Sequence, residues 1–360
     1  MTRNRKNWIS VATGIAAAVF GALAAHAEPL VYVPMGSENK IIIVDVDADK
    51  VIGAIDGVAA AHGLAITPNG EFLIAGSYDA RSVGSLPAKP KDVSEDDHAA
   101  HHKAPSIKAN ENTEAEVSSV SIISTTNHKA VRAIDVPGAV HHVSVSPDGQ
   151  FAAVTRPNQN ALSIIDLASF KVVANPKTGS LPNYSVFSPD SKIIYVSNAG
   201  DDNVAIIEVE GWRSKATIAV GASPEHVVLN KGGSTLYVNN VEDGTVSIVD
   251  TASRKTIKTI KIGSSIHGID LSDDGNSLFV AALGDDKIVQ IDLPTGTARS
   301  LSLEPEPYHL TTIVGAGKLY VSSAEQPNIW VIDQKRLEVV TRVNIGGNGH
   351  QMVLTSRSAH

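Results

Sequence analysis

Short apolar runs recur along the chain, each bounded by polar turn residues. One set reads IIIVD at 41–45, VSIIS at 120–124, LSIID at 162–166, VAIIE at 204–208, VSIVD at 246–250, IVQID at 288–292 and IWVID at 329–333. Each is preceded by two further apolar segments joined by a Pro-Asp-Gly-like turn, as in HHVSVSPDGQFAAVTR from His141 and NYSVFSPDSKIIYVSN from Asn183. Such turns supply a positive or preset φ, so each pair predicts a β-hairpin. A fourth segment follows, as in KTIKTIKIG at 255–263. The pattern predicts an all-β chain of four-stranded units, with strands apolar along most of their length because sheets pack face to face.

The units are in phase. His141, Asn183, Glu225, His267 and His309 are spaced 42 residues apart, His350 follows after 41, and His62 precedes His141 by 79. A repeat of this length reads as one blade of a β-propeller, and the long step as a blade with an insertion. The innermost-strand segment occurs seven times, which predicts a seven-bladed propeller. Beyond residue 27 the chain opens on a second-strand segment, LVYVPM at 30–35, and it closes on an innermost segment from His350. One blade is therefore expected to be built from both termini, closing the ring and leaving no free sheet edge.

IYVSN at 194–198, LYVNN at 236–240 and LYVSS at 319–323, each after a turn of this kind, resemble the YVTN family of seven-bladed propellers over residues 28–360. The resemblance implies the fold and is nearly silent on function, since the family includes binding proteins, scaffolds and enzyme domains.

A propeller gathers equivalent positions around one axis. His62, His141, His267, His309 and His350, with Asn183 and Glu225, should thus form a ring at the mouth of the central channel. The next column adds His142 and His226, with Tyr184 and Gln351 in other blades. Persistence of an ancestral histidine explains one such residue more readily than five. Imidazoles sharing a cavity without a ligand would also oppose one another's charged forms. The expectation is a metal centre drawing on His62, His141, His142, Glu225, His226, His267, His309 and His350, with Asn183 and Tyr184 as outer members. Imidazole nitrogen with no thiolate points to copper first and zinc next.

The N-terminus changes the compartment. Arg3, Arg5 and Lys6 precede an apolar run from Trp8 to Ala25, and Ala25-His26-Ala27 offers a small-residue cleavage site. Residues 1–27 read as a secretory signal peptide, which implies a periplasmic protein with no membrane insertion after cleavage. The net charge is −8, and loss of the basic leader makes it more negative, which excludes nucleic acid as a partner. With no cysteine, there is no disulfide, thiolate ligand, iron–sulfur cluster or covalently attached haem. A metal ion is the expected partner, with a periplasmic redox or metal-transfer protein as a further one.

The insertion at 79–116 contains PAKPKDVSEDDHAAHHKAPS, in which His98, His101 and His102 lie beside Asp96 and Asp97. It reads either as a metal-collecting arm over the ring or as a solvated loop. Arg156, on a second strand, is a candidate anion contact at the channel. Asp148, Asp190, Asp273 and Asp274 in turns, and Asp45, Asp166, Asp250, Asp292 and Asp333 at strand ends, read as structural. His128 and His360 fall away from the ring.

The ring resembles the propeller of nitrous oxide reductase, whose blades hold a copper–sulfide cluster on histidines. His62, His141, His142, His267, His309 and His350 match that ligand type, while Asn183 and Glu225 depart from it and no cysteine-containing domain follows. The reading is metal carriage or a metal-dependent redox reaction. The alternatives are a d1-type haem-binding or assembly propeller with axial histidines, a metal-dependent lyase or lactonase using His267 and Glu225, and a protein-interaction scaffold.

Overall fold

The structure, a computed structural model, describes residues 29–82 and 116–355. The signal-peptide reading of 1–27 and the loop histidines His98, His101 and His102 lie outside the described residues. Seven antiparallel sheets form the blades of a propeller. Blade one joins the termini: Val353–Leu354 pairs with Leu30–Met35, which leads to Lys40–Asp45 and Lys50–Asp56. Leu30 N–H donates to Thr355 Oγ1 at 2.8 Å and Thr355 N–H to the Leu30 carbonyl at 2.9 Å, so the closure is sealed on both sides. Blade two runs Ala61–Ile66, Phe72–Ser77, Glu116–Ser124 and Lys129–Pro137.

The remaining innermost strands are Val143–Val145, Pro182–Phe187, Pro224–Leu229, Ile266–Leu271 and Pro307–Ile313, in blades three to seven. Their partners in the second position are Phe151–Arg156, Ile193–Asn198, Thr235–Asn240, Ser277–Ala282 and Lys318–Ser323.

Seven buried apolar layers hold the blades together, one between each neighbouring pair. Successive residues of one strand serve different layers. Ile194 and Val196 pack toward blade three, and Tyr195 packs toward blade five. This period-2 division explains why the second and third strands are apolar throughout rather than alternating.

The turns are built as the sequence predicts. Ser146 Oγ donates to Asp148 Oδ1 at 2.6 Å, Phe151 N–H returns to Ser146 Oγ at 2.9 Å, and Gly149 takes the left-handed φ of 71° that a Cβ would strain. Ser188–Asp190 and Ser272–Asp274 repeat the contact at 2.6 Å. Each strand-end aspartate accepts backbone N–H groups of the following turn, from Ala48 on Asp45 to Arg336 on Asp333. Among the described residues no helix is long and apolar enough to cross a membrane.

Candidate metal centre

The innermost strands deliver their first residues to one end of the central channel, and the imidazoles meet there. The His62 ring lies 4.6 Å from His141 and 4.5 Å from His350, centroid to centroid. The His226 ring lies 4.9 Å from His142, 5.1 Å from His309 and 4.3 Å from His267. Both histidine columns therefore converge, including the consecutive pair His141 and His142 at 4.2 Å. The inner strands carry register shifts at their starts, between Ala61 and Gly63, Pro182 and Ser185, Pro224 and Val227, Ile266 and Ile269, and Pro307 and Leu310. A β-bulge breaks the alternation of side-chain direction, which lets adjacent residues reach the same cavity. Gly63 permits the close approach of blades two and three: a Cβ there would lie 2.6 Å from the His141 carbonyl oxygen.

The ring backbone is tied down by polar residues inside the second strands. Thr155 Oγ1 donates to the Asn183 carbonyl at 2.9 Å, Ser197 Oγ to the Glu225 carbonyl, and Asn239 Nδ2 to the His267 carbonyl. Each bond links a blade to the next across 28 residues of sequence. Ser197, Asn239 and Ser322 occupy the same place in YVSN, YVNN and YVSS, so the repeat motif holds the ring. Ser322 does so within its own blade, accepting His309 N–H at 3.2 Å.

Backbone carbonyls also set the imidazole tautomers. A carbonyl only accepts, so His62 Nδ1–H donates to the His141 oxygen at 2.9 Å and His142 Nδ1–H to the Asn183 oxygen at 3.1 Å. Each neutral ring then offers its lone pair at Nε2, the arrangement required of a metal ligand. His267 Nδ1 faces Glu225 Oε2 at 3.3 Å, a carboxylate–imidazole pair of the kind that orients ligating histidines.

Two groups bring ligating atoms within 4.8 Å of one another: His142, His226 and His309, and Glu225, His226 and His267. In the first, all three imidazoles are buried, and Nε2 of each is a buried atom without a hydrogen-bond partner. Burial holds all three well below the ordinary histidine value, and neighbouring imidazoles press in the same direction. These rings stay neutral and keep lone pairs at neutral pH. Ligating nitrogens of a tetrahedral site sit about 3.3 Å apart, so small side-chain rotations would close this group on an ion. The residues present fit a copper or zinc ion.

Aromatic rings pack around the centre. Tyr308 stacks on His267 at 4.1 Å with planes 12° apart, and Tyr78 lies 5.4 Å from His62. Tyr78 immediately precedes the insertion, whose roots Arg81–Ser82 and Glu116–Val117 pair, so its stem leaves from the rim of the ring. Tyr184 packs 4.7 Å from His142 and accepts a hydrogen bond from Gln351 Nε2 at 3.0 Å, a link between blades four and one across the channel. Further along the inner strands is a cavity of about 410 Å³, lined by Leu64, Ile66, Val186, Val228, Met352 and Asp270 among others. Burial pushes the Asp270 carboxyl up to about 6, although it accepts N–H groups of Leu271 and Thr312, each at 2.8 Å.

The structure redraws several expected roles. His226 and His142, from the second column, stand at the centre of the cluster, while His62, His141 and His350 form one side of it. Asn183 contributes through its backbone carbonyl, which receives Thr155 and His142. Arg156 is not an anion contact at the channel. It is 3% exposed and donates to the Pro137 and Leu162 carbonyls and to Asn175 Oδ1, a structural clamp. Tyr308 and Asp270 carried no repeat signal and were invisible to the column reading.

Residues 182–318 match the family model described as "Lactonase, 7-bladed beta-propeller". No curated protein sequence matches the chain. Among solved structures, the chain resembles Kuenenia stuttgartiensis hydrazine synthase, with a TM-score of 0.63 and 16% identity over 83% of this chain and 96% of that one. It also resembles the periplasmic gluconolactonase of Pseudomonas aeruginosa, with a TM-score of 0.70 and 14% identity over 91% of this chain and 99% of the other. A dihydro-heme d1 dehydrogenase is similar at a TM-score of 0.61 and 15% identity, over 88% of this chain and 63% of that one. At such identities the likeness is one of fold.

Proposed function

We propose that this propeller is a periplasmic metal-binding protein that takes a copper or zinc ion on Nε2 of His142, His226 and His309. Its role is metal carriage or a metal-dependent redox reaction with electrons from a separate partner. One observation carries the reading: three buried imidazoles converge with their Nε2 atoms unpartnered and their charged forms suppressed. Buried polar atoms are ordinarily satisfied, and three such imidazoles with ligating atoms within 4.8 Å of one another are explained by a ligand. Imidazole nitrogen suits copper and zinc, whereas calcium and magnesium require oxygen. The leader-like N-terminus supports an exported protein.

Centroid separations of 4 to 6 Å also favour an ion over haem, because a planar macrocycle would have to part the rings. Metal analysis after reconstitution with copper or zinc salts tests the reading. Stoichiometric metal in the wild type, lost in a His142→Ala/His309→Ala variant that still folds, is the expected result. A wild type that takes up neither metal overturns it.

The match over 182–318 favours a second reading, lactone hydrolysis assisted by the His267–Glu225 pair. Acid release from simple lactones, followed in a pH-stat and abolished by Glu225→Gln, would establish it.

A further inference from the structure

The channel cavity below the ring contains one carboxylate and no cation to balance it. Asp270 keeps part of its surface accessible in that lining and belongs to neither ligand group. Among the described residues no lysine or arginine lines the cavity, and the ion pairs all lie elsewhere. The equivalent positions of the other blades carry Ala65, Ser144, Val186, Val228, Thr312 and Val353, so the inner strands do not need an acid here. The N–H groups of Leu271 and Thr312 are donated to Oδ1 and Oδ2 of Asp270, which holds the carboxylate in place and leaves lone pairs over for a further donor. Burial, then the charge of Asp270, pushes the Tyr184 phenol up to about 12, and this aromatic ring lines the same cavity.

We infer that this cavity binds a compact organic cation, its ammonium group on Asp270, its body against Tyr184 and the aliphatic walls, and its far end toward His226 and His309. Its occupancy does not depend on the metal-binding reading. A buried carboxylate is ordinarily paired, and an ammonium supplies both the opposite charge and the N–H donors that the remaining lone pairs accept. The rest of the lining sets the class of cation. Ile66, Val186, Val228, Leu229 and Met352 present apolar surface that an organic cation covers and a hydrated inorganic ion does not. An aromatic face adds attraction for an ammonium within about 6 Å of it. The volume of about 410 Å³ lies within the roughly 300 to 1,000 Å³ of small-molecule sites. His226 and His309 line the same cavity, so an occupant reaches the ligand group from below.

Benzylammonium and its neutral counterpart, benzyl alcohol, test this by calorimetric titration of the metal-free protein at pH 7.5. Benzylammonium should bind at one equivalent, at least tenfold more tightly than the alcohol. Asp270→Asn should weaken benzylammonium at least tenfold and leave the alcohol and metal uptake unchanged. Val228→Phe, which narrows the cavity from a different blade, should weaken both ligands. The comparison of the two ligands on the wild type needs no variant, so a substitution that fails to fold leaves the test intact. Equal affinity for ammonium and alcohol, no binding of benzylammonium at millimolar concentration, or benzylammonium binding untouched by both substitutions would each overturn the inference. Asp270→Asn that loses metal and keeps benzylammonium would assign the carboxylate to the ion and overturn it as well. Each of these results is independent of whether the wild type takes up copper or zinc.

Discussion

His142 and Asn183 stand on neighbouring blades, and the Nδ1–H of His142 is donated to the Asn183 backbone carbonyl across 3.1 Å. This bond joins the scaffold to the chemistry. The same carbonyl receives Thr155 Oγ1 from the second strand of the preceding blade, so it is fixed before it fixes the imidazole. The outcome is a neutral ring with a preset Nε2 lone pair. Thr155→Val removes one of these supports. It should weaken metal affinity by roughly 10-fold, in line with losses of outer partners at metal sites, while the propeller stays folded. A competition titration against a chelator checks this.

Buried imidazoles give the metal-free protein a pH-dependent stability. His142, His226 and His309 are held well below the ordinary value, chiefly by burial. Below about pH 6.5 the unfolded chain protonates these groups and the native state resists. Their contribution to stability is therefore lost as pH falls from about 6.5, at roughly 1.4 kcal/mol per pH unit for each group. Asp270, raised to about 6, acts in the opposite direction between its ordinary value and about pH 6, as one group against three. Urea midpoints between pH 7.5 and 5 should fall in the wild type and fall less in His226→Leu. Equal slopes would contradict the assignment.

Closure through the last strand should dominate the fold's stability. Truncation after Gly349 removes Met352, Val353 and Leu354, and with them the pairing to Tyr32 and Val31 and the seal at Thr355. Losing that apolar burial costs roughly 5 kcal/mol, and it also exposes an unpaired edge. The melting temperature should drop by about 10 °C or more, read by circular dichroism.

Arg156 separates stability from function. Arg156→Met strands the Pro137 and Leu162 carbonyls and Asn175 Oδ1. The cost should be about 3 kcal/mol, because buried acceptors lose a charged donor. Metal content of the folded fraction should be unchanged. A loss of metal with normal stability would place Arg156 in the site after all.

Blade count, closure and the converging columns were legible in the sequence because a propeller converts a 42-residue period into rotation about one axis. The strand-end aspartates and the Ser-Pro-Asp-Gly turns were legible because their chemistry is local. Which imidazoles would meet was not. That depends on bulges at the inner-strand starts, such as the shift between Pro224 and Val227, which leave no mark in a hydrophobic pattern. They brought His226 to the centre, while His142 sits just ahead of its strand Val143–Val145, where no ladder fixes its direction. Arg156 misled because its position in the repeat points inward, yet its guanidinium finds carbonyls before it reaches the channel. Tyr308 and the buried Asp270 each occur in a single blade, so periodicity could not flag them.

The central claim is that His142, His226 and His309 are ligands to one ion. Pulsed electron paramagnetic resonance of the protein loaded with one equivalent of Cu²⁺ counts the coordinated imidazoles directly. The account predicts three, falling to two in His309→Ala with the remaining pair unchanged. A spectrum with no coordinated imidazole, or one unaltered by His142→Ala, His226→Ala and His309→Ala alike, would contradict it.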